Sequence, residues 1–234
     1  MKNIFKKSII VSLSLLLTIS LTNCEAIKNA NNGQKGAAIG AAGGAILGAI
    51  IGNNVGKGGN GEIGAVIGGV VGGTAGVLIG NKMDKQAQKI EQEVPGATVE
   101  RVDDGIVVTF DENSGVYFDT NKSNINAKSQ ATLNKLAGVF AEFPDTNILV
   151  VGHTDNTGKE GYNMTLSKER AYSVTNYLKD KNLDAERFTT HWFGETQPKY
   201  DNSTAEGRSK NRRVNVAIVP NEKMKEDAKE QANN

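Results

Sequence analysis

Residues 36–52 (GAAIGAAGGAILGAIIG) and 64–80 (GAVIGGVVGGTAGVLIG) are charge-free, with glycine at every fourth position. The two combs lie 28 residues apart and each runs into Gly-Asn, so one unit is used twice. A period of four predicts two helices, each with a smooth stripe along one side. The polar, glycine-rich NNVGKGGNGE between them predicts a turn, and the pair a helical hairpin. Beyond the combs the pattern changes. Lys82 to Glu93 is charged and glutamine-rich, which predicts a solvated helix ending near Pro95-Gly96. In ATVERVDDGIVVTFD, β-branched residues flank Asp104-Gly105, a two-residue hairpin signal. A strand is expected at Gly115–Phe118. A helix over 127–142 follows, with Leu133, Leu136, Val139, Phe140 and Phe143 on its apolar side. NILVV reads as a buried strand. A second helix reaching Lys181 carries Ala171, Val174 and Leu178, FTTHWFGE is a strand entering a loop, and RRVNVAIVP is the last strand. The tail after Pro220 is polar and expected to fray. The order β-α-β-α-β-β, over roughly a hundred residues, can bury one core as an α/β (α+β) sandwich with two helices on one face of a sheet.

Charge alters the picture little. The 234-residue chain holds 27 basic and 26 acidic residues, so nothing draws it toward nucleic acid. The first residues look like a targeting segment: Lys2, Lys6 and Lys7 precede an apolar run from Ile9 to Leu21, too short for a comfortable span. It ends in LTNC, whose Cys24 is the sole cysteine, so no internal disulfide can form. LTNC resembles the lipobox of bacterial lipoproteins, with Leu21 three places before the cysteine and Asn23 where Gly, Ala or Ser is usual. That resemblance implies a mature chain beginning at an acylated Cys24, which could not serve as a catalytic nucleophile. The combs resemble glycine-zipper segments of envelope lipoproteins. Interior glycines make poor helices in water, but in a membrane they let two backbones approach closely. Each comb is roughly 26 Å long at 1.5 Å per residue, slightly short for a full span. Membrane contact through these helices, or a homo-oligomer built by them, fits the pattern. GKGGNGE lacks the Ser or Thr after Lys57 that a phosphate-binding loop needs.

The candidate chemistry lies in VGHTDNTGKEGYNMTLSKERAYSV, residues 151–174. Asp155 ends an apolar strand where the chain turns. Thr157 and Glu160 have capping-box spacing, so a helix starts close by. Asn163 and Arg170 are seven residues apart, two helical turns, and share a face. A fixed anion and a fixed cation at one sheet edge suit a ligand carrying both charges, such as an amino acid headgroup. Spacing leaves two alternatives open: Asp155 and Arg170 pair with each other, or Asp155 caps a helix.

VYFDTNKSNI, VGHTDNTG, YNMTLSKERAYSV and EGRSKNRRV, in this order and spacing, resemble the OmpA-like domain, the peptidoglycan-binding module of Gram-negative envelope proteins. The resemblance covers about residues 100–220. It implies that Asp155 holds the ammonium and Arg170 the carboxylate of the free end of meso-diaminopimelate. It further implies side-chain amides from Asn121 and Asn163, hydroxyl or backbone contacts from Thr157, and positive charge from Arg212. Arg208 and Arg213 are expected to be structural, pairing with local carboxylates or facing solvent. The implied organisation is a signal peptide (1–23), a lipidated linker (24–35), a glycine-zipper hairpin (36–80), a linker helix (81–96), the OmpA-like domain (97–220) and a polar tail (221–234). The whole resembles an outer-membrane lipoprotein with its C-terminal domain in the periplasm, needing no cofactor.

Other classes find less support. His153, Asp155 and His191 could be imagined as zinc ligands or an acid–base set, but there are only two histidines and no HExxH or serine elbow. Catalysis and a metal are therefore not expected. The same module occurs in ion-driven stators, which carry an intramembrane Asp, whereas neither comb holds an acidic residue. A pore or assembly scaffold built by the hairpins and anchored by the wall domain stays compatible.

Overall fold

The computed structural model describes residues 73–234, apart from 103, 112, 113 and 120. The signal segment, Cys24, the first comb, the turn and most of the second comb lie outside the described residues. The chain order is α1 (Gly73–Glu93), β1 (Thr98–Val102), β2 (Gly105–Phe110), α2 (Ala127–Glu142), β3 (Thr146–Gly152), α3 (Glu160–Lys179), β4 (Phe188–Trp192), α4 (Ala205–Asn211), β5 (Val214–Pro220) and α5 (Glu222–Ala232).

The strands form one sheet in the order β1-β2-β5-β3-β4, antiparallel except for the β3–β4 pair. The period-two pattern sorts side chains between its faces. Ile106, Val108 and Phe110 of β2, Ile148 and Val150 of β3, and Val214, Val216 and Ile218 of β5 join the main core. Leu133, Leu136 and Phe140 of α2 and Ala171, Val174 and Leu178 of α3 close over them. The opposite face carries a smaller cluster of Val107, Leu149, Val151, Ala217 and Val219, beside a 2.8 Å hydrogen bond from Asn215 Nδ2 to Thr109 Oγ1.

The architecture matches the expected sandwich of a sheet with helices, with four local corrections. The segment at 115–118 is not a strand. Its backbone is taken up by the start of α2 instead: the Tyr117 N–H donates to Ser129 Oγ at 3.1 Å, and the Tyr117 carbonyl accepts from Ser129 Oγ and Asn126 Nδ2, each at 3.0 Å. Once those groups are satisfied, no ladder is needed. The hairpin turn falls one residue early, since Val102 pairs with Gly105. Thr157 and Glu160 do not make a capping box, because the N-cap of α3 is Lys159, without a side-chain bond.

The fourth correction concerns both ends. Residues 81–93, expected as a solvated linker helix, are helical but not solvated on all sides: they belong to α1, which buries Ala75, Ile79, Met83, Gln86, Ala87 and Ile90. The tail expected to fray is α5, capped by the Asn221 side chain and buried through Met224 and Ala228. The two helices pack on each other, and their apolar residues belong to the main core. Charge density masked this: charged residues fill the outer face, while a sparse apolar row recurs at helical spacing. The comb residues that are described, 73–80, are helical, and the space beside Gly80 is open. Among the described residues no helix is long and apolar enough to cross a membrane.

Gln86 is fully buried and neither side-chain amide atom has a hydrogen-bond partner. Replacing it by Leu removes an unpaired polar group and is expected to raise stability by about 1–3 kcal/mol. Ile90→Ala, in the same helix, should cost about 2–5 kcal/mol. Urea unfolding followed by circular dichroism measures both, and a helix that stood free in water would register neither change.

Candidate functional site: a charged cleft at the end of β3

The site is built where β3 ends. Gly152 is required there, since a Cβ would strike the Ser167 carbonyl of α3. Past the strand, the His153 N–H donates to the Arg213 carbonyl at 3.0 Å and the Thr154 N–H to the Gly194 carbonyl at 2.9 Å. The Gly194 N–H in turn donates to Ser167 Oγ at 2.9 Å, and Gly194 has a positive φ of 55° at a place where a Cβ would press on the Met164 backbone. Sheet, post-β4 loop and α3 are thereby locked together one residue before Asp155.

Asp155 is buried. One carboxylate oxygen accepts the Thr157 N–H at 2.8 Å and the other accepts Arg212 Nη1 at 2.5 Å. Burial alone would raise its pKa, but the Thr157 and Arg212 hydrogen bonds outweigh that and hold it below the ordinary value. Its counter-ion is thus Arg212 rather than Arg170. Both alternatives left by the sequence are replaced: the carboxylate holds a local turn, not a helix end, and pairs with a guanidinium from the far end of the chain. Asn163 is buried and its Nδ2 reaches the Asp155 carbonyl (3.3 Å), the Thr157 carbonyl (3.1 Å) and Glu195 Oε2 (2.5 Å). That amide pins the turn to α3. Thr157 is exposed, and its side chain as well as its N–H helps to lower the Asp155 pKa.

Arg170 is buried, with Nε donating to the Lys122 carbonyl at 3.0 Å and Nη2 to the Asp119 carbonyl at 3.4 Å. Its guanidinium lies 5.1 Å from the centre of the Phe118 ring. It clamps the loop in which Asn121 sits, exposed and at a positive φ of 57°.

A small, partly open cleft is lined by Val116, Phe118, His153, Arg170, Arg212, Arg213 and Val214. Of the six residues expected to bind, Arg170 and Arg212 line it directly, and Asp155 joins through Arg212. Asn163 and Thr157 build the turn behind, and Asn121 lies on the adjoining loop. Arg213 and Arg208 bond to neutral acceptors. Buried Arg213 donates to Asn215 Oδ1 (3.1 Å) and the Gln197 carbonyl (3.2 Å), and burial lowers its pKa to about 10. Arg208 donates to the carbonyls of Asn202 and Ser203. Arg213 is thus buried rather than facing solvent, while Arg208 stays partly exposed.

Sequence reasoning missed two contributors. Asn211 is buried, accepts the Lys199 and Tyr200 N–H groups, each at 3.0 Å, and donates to the Tyr200 carbonyl and Asn202 Oδ1, each at 2.8 Å. It thereby shapes the loop before Arg212. His153 lines the cleft and stacks on Phe193 at 5.7 Å, and neither ring nitrogen has a hydrogen-bond partner. The alternation Val151, His153 placed it on that face. The imagined zinc set does not assemble: among the described residues no group of three His, Cys, Asp or Glu side chains is placed to hold a metal.

Comparison with known proteins follows this geometry. Residues 117–212 match the OmpA family, and residues 1–84 match the YMGG-like Gly-zipper family. The chain is 37% identical over 140 residues to the probable lipoprotein YiaD of Escherichia coli (strain K12), covering 59% of this chain and 63% of that protein. It is 39% identical over 113 residues to the outer-membrane lipoprotein YfiB of Pseudomonas aeruginosa, covering 48% of this chain and 67% of that protein. Among solved structures, the cell wall anchor of the T6SS from Pseudomonas aeruginosa is similar at a TM-score of 0.51 and 28% identity, covering 59% of this chain and 96% of that one.

His153 gives a pH test. Burial, and then the nearby Arg213 charge, push its pKa well below 6.5. The unfolded chain therefore takes up a proton near pH 6.5 that the folded chain refuses, so stability falls as pH drops below that value. The slope from one such group reaches about 1.4 kcal/mol per pH unit. His191, also lowered by burial, acts in the same direction. The expected result is that urea stability of His153→Gln falls less steeply than wild type between pH 7 and 5, and equal slopes would contradict it.

Proposed function

We propose that this chain, which belongs to the OmpA family, tethers the outer membrane to peptidoglycan by non-covalent binding. In this reading acylated Cys24 and the glycine-zipper helices hold the membrane, and the C-terminal domain grips the wall from the periplasm. The role is binding, with no bond made or broken. The observation that carries it is a cleft lined by the buried guanidinium of Arg170 on α3 and by Arg212, which is hydrogen-bonded to the carboxylate of Asp155 just past β3. A carboxylate and a guanidinium together suit the free end of meso-diaminopimelate, with its ammonium at Asp155 and its carboxylate at Arg170. Asn163 and Thr157 support this by fixing the turn that presents Asp155. Likeness to the outer-membrane lipoprotein YfiB and to the cell wall anchor of the T6SS supports the same reading.

Selectivity follows from burial. A lysine side chain in place of diaminopimelate brings the ammonium but no carboxylate for Arg170. Leaving one member of a buried charge pair without its partner costs on the order of 2–5 kcal/mol. The full chain in detergent is therefore expected to cosediment with diaminopimelate-type sacculi and hardly at all with lysine-type walls, and free meso-diaminopimelate should release it. Asp155→Ala and Arg170→Ala should each abolish cosedimentation, with urea midpoints recorded to separate lost binding from lost folding. Folded variants that still sediment, or equal capture by both wall types, would end the assignment.

A further inference from the structure

We propose that the second glycine comb is a fixed part of the C-terminal domain and does not cross the bilayer, so that lipid is met by Cys24 and the chain before Gly73. The proposal rests on the membrane half of the reading above and says which part of the chain serves it.

The helix α1 starts inside the comb. Residues 73–80 are its first two turns, and the charged segment 81–93 continues it without a break. From Asn81 to Val94 there is neither glycine nor proline, so nothing beyond Gly80 forms a hinge between comb and continuation. Two comb side chains, Ala75 and Ile79, lie 6% and 1% exposed in the main core, in one row with Met83 and Ile90. Arg101 of β1 adds a 2.7 Å contact from its Nε to Asp84 Oδ1, one turn past the comb. The seat is made by alanine and isoleucine rather than by glycine. On the other side of the same two turns, Val77 is 62% exposed and the space beside Gly80 is open.

A hydrocarbon core of about 30 Å calls for roughly 20 apolar residues. The comb cannot be lengthened downstream, because charged Lys82, Asp84 and Lys85 follow Gly80 closely. Its last two turns are already spent on the protein core. Residues 64–72 would reach about 14 Å even as an unbroken helix, under half of a span. To cross, the helix would have to draw Ala75 and Ile79 out of the sandwich. Lipid would give those side chains apolar surroundings again, but it would not refill the cavity they leave.

The test uses the full acylated chain in liposomes, with flotation as the measure of membrane binding. Cys24 is the sole cysteine and is spent on acylation in this reading, so Val77→Cys supplies the one free thiol for an environment-sensitive dye. The unsubstituted chain gives the blank. Aqueous iodide should quench the dye as strongly as one on exposed Glu186→Cys, and nitroxide-labelled lipid should not quench it. Independently of any label, Ile79→Ala should lower the folded-to-unfolded ratio of the liposome-bound chain about thirtyfold or more, read from its urea midpoint. A dye quenched from the lipid and shielded from iodide, or an Ile79→Ala midpoint equal to wild type, overturns the proposal while the membrane reading stands. If the chain does not float at all, the membrane reading falls and this proposal with it.

Discussion

Two backbone hydrogen bonds beyond the last residue of β3 govern the rest of the site. His153 N–H to the Arg213 carbonyl and Thr154 N–H to the Gly194 carbonyl carry the strand's rigidity past its formal end. Without them Asp155 would sit on a mobile turn, and a carboxylate on a mobile turn hydrates and loses its bias toward one partner. With them it is presented at 5% exposure and still ionised. The sheet order allows this, because β5 lies between β2 and β3 and brings Arg212 and Arg213 to the strand end from a distant part of the chain. Gly152 and Gly194 are the local conditions: one lets α3 press on the sheet, the other lets the post-β4 loop turn back.

The guanidiniums of the cleft differ in what holds them. Arg170 is bound to main-chain carbonyls and an aromatic face, Arg213 to an amide and a carbonyl, and Arg212 to a carboxylate at a partly exposed position. Neutral acceptors make burial of a cation tolerable without cancelling its charge. Arg187 is a purely architectural counterpart on the same protein. It donates to the carbonyls of Phe140, Phe143 and Thr146, tying the C-terminus of α2 to the start of β3, at the other end of that strand from Asp155.

Much of this was legible in the chain. The helices over 127–142 and 160–179, the strands of NILVV and RRVNVAIVP, and the placing of Asp155 at a strand end all follow from period and turn chemistry. The site was legible as residues but not as partners. Spacing puts Asn163 and Arg170 on one face, yet cannot say that Asn163 spends its amide on the turn or that Arg212, 57 positions away, reaches Asp155 first. Long-range pairing is set by strand order, which local pattern does not encode. The same blindness hid the burial of α1 and the very existence of α5: each carries a thin apolar row under many charges, and the two pack on each other.

The docking of α1 has a mechanical consequence. A polar, free-standing connector would let the sheet drift on a slack leash. Here the chain just upstream of the sheet is itself part of the core, so a pull applied from that side is resisted first along a helix lying against its neighbours. Its grip comes from Ile79, Met83 and Ile90, and its weak link is the unpaired amide of Gln86 in their midst. Tension would peel this helix before it reached the strands, releasing 21 residues of extra length while the charged cleft kept its shape.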